Sequence, residues 1–351
     1  MPDGGLTPER AVGGPGMGAR PADGLIDTFG RRVRDLRVSV TDHCNLRCTY
    51  CLPASGLPWL NRAEMLTATE IIRLVRLFVQ WGVTNVRLTG GEPLLRPDLA
   101  DIVTGIARLT PRPRIALTTN GVGLAGAAEK LARAGLDRVN VSLDTTDWEN
   151  YVQLTRRDRF DDVVVGLAAA AEAGLKSVKV NAVVIRGAND DDVADLLQFC
   201  IDNGYELRFI EQMPLDAQHG WRRELMVTAG EVHTRLAERF RLTPTPGYQR
   251  GSAPARRFLV DGGPETVGVI ASVTEPFCDR CDRLRLTAEG MLRNCLFARG
   301  EADLRTPLRG GADDAQLVAL LRQETQRKAR GHGINEPDFT QPTRPMSAIG
   351  G

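Results

Sequence analysis

Six of the seven cysteines in this 351-residue chain fall into two groups of three. Cys44, Cys48 and Cys51 lie in "TDHCNLRCTYC", a CxxxCxxC spacing; Cys278, Cys281 and Cys295 lie in "FCDRCDRLRLTAEGMLRNC", a CxxC followed at a distance by a third thiol. Three thiolates suit one face of a 4Fe-4S cluster, binding three irons and leaving the fourth open. A zinc ion would need a fourth ligand. For the first group that would be His43, awkwardly adjacent to Cys44, and structural zinc pairs are usually CxxC. The second group would need Asp279, Asp282 or a remote residue such as His332. The seventh thiol, Cys200 in "VADLLQFCID", occupies an apolar helical face and reads as an inert core residue.

Other groups that could act with a metal site lie elsewhere in the chain. In "RLTGGEP", Gly90 and Gly91 allow close backbone approach to a ligand. Glu92 precedes Pro93, so it is held extended and can accept from an ammonium group. Arg283 and Arg285 follow Cys281 at i+2 and i+4, so in extended chain both forks point to one side as an anion clamp. Arg37, Arg87, Lys179 and Arg208 sit on or beside expected strands. If alternation turns them inward they line one cavity, and buried cations demand anionic partners, which points to a polyphosphate.

From residue 35 to about 211, short β-branched runs alternate with stretches of helical length, the pattern of βα units and a parallel sheet. The expected strands are "LRVSVT", "VTNVRLT", "RIALTT", "RVNVSL", "SVKVNAVVI" and "ELRFIEQ". "ATEIIRLVRLFVQWG", "GAAEKLARAG", "FDDVVVGLAAAAEAG" and "DDDVADLLQFCIDNG" read as helices, several closed by glycine. Six units predict an α/β fold, an incomplete (β/α)6-type TIM barrel. Its chemistry should lie at the C-terminal strand tips, which include residues 89–92, 118–121, 142–144 and 211.

The expected organisation is a disordered N-terminal tail over 1–24, a partial barrel over 25–245, a smaller module carrying the second cysteine group over 246–340, and a C-terminal tail over 341–351. Lysine and arginine number 45 against 44 acidic residues, so global charge gives no reason to expect nucleic acid or an anionic membrane. No apolar run reaches the length of a membrane span and the N-terminus lacks a secretory h-region, so the expectation is a cytoplasmic protein.

CxxxCx(aromatic)C after a first strand, with Tyr50 as the aromatic, and GGEP after the second strand, resemble the radical S-adenosylmethionine (SAM) superfamily. Within it, "RRVRDLRVSVTDHCNLRCTYC", "RLTGGEPLLR", "LTTNG", "RVNVSLD", "VKVNAVV", "ELRFIE", "FCDRCDRLRLTAEG", "NCLFA" and the terminal "MSAIGG" resemble the GTP 3',8-cyclase family over residues 25 to 351. The resemblance implies two 4Fe-4S clusters, the first chelated by SAM and the second by the guanine base. It implies contacts from Tyr50, Gly91, Glu92, Ser142 and Met213 to SAM, and from Arg37, Arg87, Thr118, Lys179, Arg208, Arg283 and Arg285 to GTP. It further implies a 5'-deoxyadenosyl radical that removes hydrogen from C3' of the ribose, attack of that carbon on C8, and 3',8-cyclo-7,8-dihydro-GTP as product. This is the first step of molybdenum cofactor biosynthesis. The implied partners are a reductant protein such as flavodoxin or ferredoxin, cyclic pyranopterin monophosphate synthase downstream, and a second copy in a homodimer. Gly350 and Gly351 would thread toward the site and act in catalysis with Arg283 and Arg285.

Three positions depart from the family pattern: Asn85 where a Lys or Arg is common, Pro97 where a second Arg often follows GGEP, and Asp282 where an uncharged polar residue is usual. Weaker triphosphate contact is the expected consequence. Two other functions fit parts of the pattern. A radical SAM peptide-modifying enzyme with an auxiliary cluster would carry more cysteines in the C-terminal module and give the Arg pair no role. A non-catalytic zinc or iron-sulfur module leaves GGEP unexplained.

Overall fold

The computed structural model describes residues 24–350; all but Gly24 of the expected N-terminal tail, and Gly351, lie outside the described residues. The barrel strands are β1 (Asp35–Ser39), β2 (Asn85–Thr89), β3 (Arg114–Thr119), β4 (Arg138–Ser142), β5 (Lys179–Val184) and β6 (Glu206–Glu211). Helices α1 (Ala68–Gln80), α2 (Leu99–Ala107), α3 (Leu124–Ala134), α4 (Trp148–Thr155), α5 (Phe160–Glu172) and α6 (Val193–Asp202) lie between them, and α7 (Ala229–Ala237) comes after β6. Local chemistry sets several helix ends. Thr67 and Glu70 form a capping box at the start of α1, Thr228 and Glu231 another at α7, and Gly135 closes α3 at φ 104°. Helices α2, α4 and α7 lie in stretches to which the sequence pattern assigns no element.

The six strands pair in parallel and in chain order, as the repeat predicts. The chain beyond β6 does not form a separate sheet. Strands β7 (Leu242–Pro244), β8 (Arg256–Val260) and β9 (Thr266–Ile270) extend the β6 edge, with β9 parallel to β6. Strands β10 (Arg283–Leu286), β11 (Met291–Arg293) and β12 (Ala302–Asp303) extend the other edge, with β10 parallel to β1. The result is one open sheet of 12 strands, ordered β12-β11-β10-β1-β2-β3-β4-β5-β6-β9-β8-β7. Helices α8 (Arg305–Arg309), α9 (Asp314–Gln326) and α10 (Met346–Ile349) complete the chain.

Strand alternation divides the two faces. Leu36, Val38, Val86, Leu88, Ile115, Leu117, Val139, Val141, Val180, Leu207 and Phe209 are buried in the principal core cluster with residues of the barrel helices. The residues between them, Arg37, Arg87, Thr118, Asn140, Asn181 and Arg208, line a cavity on the other face. An ordinary barrel fills its interior with apolar layers, so a polar interior is a site. Cys200 is fully buried in α6, and burial pushes its thiol pKa up, as expected of a core cysteine. Among the described residues, no helix is long and apolar enough to cross a membrane.

Candidate active site

The cavity measures about 290 Å³. Parallel register places the cysteine groups beyond opposite ends of β1, and Cys44, Cys48 and Cys51 are not themselves among the lining residues. Cys44 follows the C-terminal end of β1, whereas Arg283 pairs with Asp35 at the N-terminal end, so Cys281 lies beyond the opposite end of the strand. The β10–β11 hairpin explains the long spacing to Cys295. Arg285 pairs with Arg293 in antiparallel register, and the chain then runs back toward Cys281. All three cysteines of this group line the cavity, together with Tyr50 of the first loop.

The wall is strongly cationic. Arg37, Arg87, Arg208, Arg283, Arg285 and Lys328 line it, and among the described residues Asp144 is its one carboxylate. Burial, with Arg37 alongside, pulls the Arg87 guanidinium down to about 9 and holds Arg285 well below the usual arginine range. Arg37 is lowered by burial and by Arg283. Arg37 Nε, Arg87 Nε, Asn140 Oδ1 and Asn181 Oδ1 are buried without a hydrogen-bond partner. The two unpaired arginine N–H donors beside crowded cations fit a bound anion, and the two amide oxygens can accept from donors of the same ligand.

Gly90 and Gly91, just after β2, pack against the chain that leads into Cys44. A Cβ on Gly90 would stand 2.3 Å from Thr41 O, and one on Gly91 2.2 Å from His43 O and 2.3 Å from Asp42 O. The two glycines therefore let GGEP press on the backbone just before Cys44, and Gly91 N donates to Thr41 O at 2.8 Å. Glu92 is fully buried and accepts from Leu94 N (2.9 Å), Thr119 Oγ1 (2.7 Å) and Asn120 N (2.6 Å), tying the β3 tip to the loop. Burial pushes its carboxyl up to about 7 despite those donors. Gly91 and Glu92 do not line the cavity; Tyr50, Ser142 and Met213 do. Tyr50 donates to Asp144 Oδ2 at 2.6 Å, and burial pushes Asp144 up to about 6.

At the second cysteine group, Arg283 Nη2 donates to Ser252 O at 2.5 Å, and its guanidinium lies 5.0 Å from the centre of the Phe277 ring. Burial pushes the Cys281 thiol up, but Lys328 and Arg283 more than offset it and hold it below its ordinary value. Arg285 donates through Nη1 to Gly350 O. Gly350 adopts φ 77°, and a Cβ there would stand 2.4 Å from Ser39 Oγ and 2.7 Å from Thr89 Cγ2. The C-terminal tail is thus seated at the β1 and β2 tips, with Ile349 and Met346 packed on the satellite core of Leu215, Met226 and Val273.

Comparison with known proteins now decides the family. Residues 38–200 match the Radical SAM superfamily and residues 205–334 match Molybdenum Cofactor Synthesis C. The chain is 59% identical over 328 residues to the GTP 3',8-cyclase of Streptomyces coelicolor, covering 93% of this chain and 96% of that protein. It is 57% identical over 332 residues to GTP 3',8-cyclase 2 of Mycobacterium tuberculosis, covering 93% and 92% respectively. The chain belongs to the GTP 3',8-cyclase family. Streptococcus suis SuiB bound to SAM shares the fold, with a TM-score of 0.60 at 15% identity over 90% of this chain and 76% of that one.

Membership of the radical SAM superfamily implies a 4Fe-4S cluster and SAM. Both cysteine groups have a donor set that fits such a cluster. Each offers three unpaired thiols, and each has an N–H near sulfur: Asn120 Nδ2 lies 3.9 Å from Cys44 Sγ, and Arg283 Nη1 lies 3.9 Å from Cys281 Sγ. Among the described residues no three His, Cys, Asp or Glu side chains are arranged to hold a single metal ion, as a zinc site would need.

Three residues singled out from the cyclase pattern lie off the cavity wall. Pro97 is exposed and does not line the cavity. Asp282 is 9% exposed and also off the cavity wall, its side chain hydrogen-bonded by Ser252. Lys179 is buried but does not line the cavity, its ammonium being bound to Glu206. Asp144 belongs to the 142–144 tip that the sequence already marks, whereas Asn140, Asn181 and Lys328 are wall residues that it missed. The two asparagines stand at inward positions of strands already identified, so alternation could have found them.

Proposed function

We propose that the chain binds SAM and GTP in this one cavity and converts GTP to 3',8-cyclo-7,8-dihydro-GTP, the first step of molybdenum cofactor biosynthesis. The observation that carries the reading is a wall with six cationic side chains and, among the described residues, a single carboxylate, lined at one end by the second cysteine triad. An anionic nucleotide satisfies the cations, while its base can reach toward the open iron of a cluster on Cys278, Cys281 and Cys295. A 4Fe-4S cluster on Cys44, Cys48 and Cys51 would supply the electron that cleaves SAM, and one on the second triad would present an iron to the base. The chain's own residues do the positioning. Tyr50, Ser142 and Met213 form the SAM end of the wall, near the first triad; Gly91 and Glu92 shape the loop behind it. Arg37, Arg87, Thr118, Arg208, Arg283 and Arg285 face the GTP, and Lys179 would reach it by exchanging Glu206 for phosphate. Arg285 also anchors the tail at Gly350, so the tail closes the site on the side of the β1 and β2 tips.

Family membership supports a single-electron reductant of the flavodoxin or ferredoxin type, transfer of product to cyclic pyranopterin monophosphate synthase, and a homodimer. The cytoplasm would keep the seven unpaired cysteines reduced. Anaerobically reconstituted enzyme should carry about eight irons per chain, four at each triad. With reductant and SAM it should consume GTP and form one 5'-deoxyadenosine per turnover. C278A should retain about four irons and SAM cleavage but lose cyclisation. SAM cleavage that is equal with and without GTP, with no cyclised nucleotide, would refute the proposal.

A further inference from the structure

Lys328, immediately beyond α9, is 4% exposed and lines the cavity beside Cys278, Cys281 and Cys295. Its Nζ donates to Arg283 O at 2.9 Å and to Asn294 O. Those two carbonyls belong to the two arms of the β10–β11 hairpin, one just after Cys281 and one just before Cys295. Among the described residues, Lys328 makes no ion pair with a carboxylate. The nearby acid Glu324 is used elsewhere: it accepts from Asn294 Nδ2 at 2.7 Å, and its other oxygen faces Arg327 at 3.6 Å. The backbone beyond Lys328 is fixed. Arg31, 8% exposed and paired with Asp27 at 2.6 Å, donates to Ala329 O (2.6 Å), Arg330 O (2.8 Å) and Cys278 O (2.7 Å). The ammonium is therefore locked against the hairpin.

Two carbonyl dipoles do not neutralise a buried unit charge, and an unpaired cation at this depth is costly. An anion at the thiols would offset it. A 4Fe-4S core with three thiolates is anionic and becomes more so on reduction, so a fixed cation beside it favours the reduced form and raises the potential. We propose that Lys328 is the counter-charge of the second cluster, a positioning residue that sets its reduction potential and makes no bond to iron. This rests on the two-cluster reading above.

The test uses full-length chain carrying C44A, C48A and C51A, so that only the second site is loaded, reconstituted and titrated redox-wise by EPR. K328Q keeps donors for the two carbonyls without charge; K328R keeps the charge. K328Q is expected to hold the parent's iron and to need a potential lower by at least the equivalent of a tenfold change in oxidised-to-reduced ratio, about 59 mV for one electron. K328R should stay within that margin of the parent. An unchanged midpoint in K328Q, or an equal shift in K328R, overturns the proposal. If K328Q fails to load iron, recovery of iron in K328R supports a charge role, and loss in both overturns it. A parent chain that takes up no four-iron cluster would sink the two-cluster reading, and this proposal with it.

Discussion

Replacing Gly350 by alanine should unseat the C-terminal tail and abolish cyclisation without affecting SAM cleavage. The added Cβ would stand 2.4 Å from Ser39 Oγ and 2.7 Å from Thr89 Cγ2, inside van der Waals contact, so neighbours or tail must move. Overpacking of this kind costs about 1–3 kcal/mol. The backbone at φ 77° adds about 1–2 kcal/mol for a residue with a side chain. The seated state is then disfavoured by roughly 2–5 kcal/mol, which lowers its equilibrium constant roughly 30-fold to a few thousandfold. The tail is terminal and packs on the satellite core, so the cost is met by local release and not by global unfolding. Hydrogen exchange at residues 346–350 should accelerate accordingly, while iron content, SAM cleavage and Tm hold. G300A is the control, since a Cβ at Gly300 meets nothing within 4 Å. Deleting Gly350 and Gly351 should reproduce the loss of cyclisation. G350A with native protection of the tail and full cyclisation would refute the reasoning.

G91A places a Cβ 2.2 Å from His43 O and 2.3 Å from Asp42 O, both backbone atoms that cannot rotate away. It should displace the chain before Cys44 and halve the iron, from about eight to about four per chain, with SAM cleavage lost; full iron and intact cleavage would contradict this. Glu92 binds its proton more tightly folded, at about 7, than its ordinary 4.5. Its protonated form therefore contributes stability that is present below pH 4.5 and lost as pH rises through 7, about 3 kcal/mol in all. In E92Q the fall in denaturant stability between pH 4.5 and pH 8 should shrink by about that amount, and an unchanged slope would rule out Glu92 as its source.

The barrel was legible because its signals are local. The six expected strands match β1 to β6 within a few residues, since β-branched runs and glycine stops act over neighbouring positions. The pairing of β10 with β1, and of β9 with β6, was not legible. Each joins segments tens to hundreds of residues apart, and no short-range pattern encodes the partner. Those two pairings build the site: without the first, Arg283 and Arg285 would flank a cysteine group in a separate module, and no cavity would lie between the triads. GGEP was legible as a close approach, but the object approached is the chain before Cys44, which only the folded loop reveals.

Lys179 shows the limit most sharply. Period-two alternation assigns Arg37, Arg87, Lys179 and Arg208 to one face, and they do share it. Alternation fixes the side of a sheet; register fixes the depth and the neighbour. Lys179 pairs with Glu206 on the adjacent strand, while Arg208 pairs with Asn181 one step further toward the cavity. Glu206 consequently holds Lys179 and, at 2.8 Å, Arg208 as well. The two cations lower the Glu206 carboxyl to about 2 despite burial and so favour its charged form. On the proposed reading, a triphosphate at this end would compete with a resident carboxylate for both cations. Among the described residues Arg87, Arg283 and Arg285 hydrogen-bond no carboxylate and Arg37 has only Asp35, at 4.0 Å, whereas Lys179 and Arg208 share Glu206.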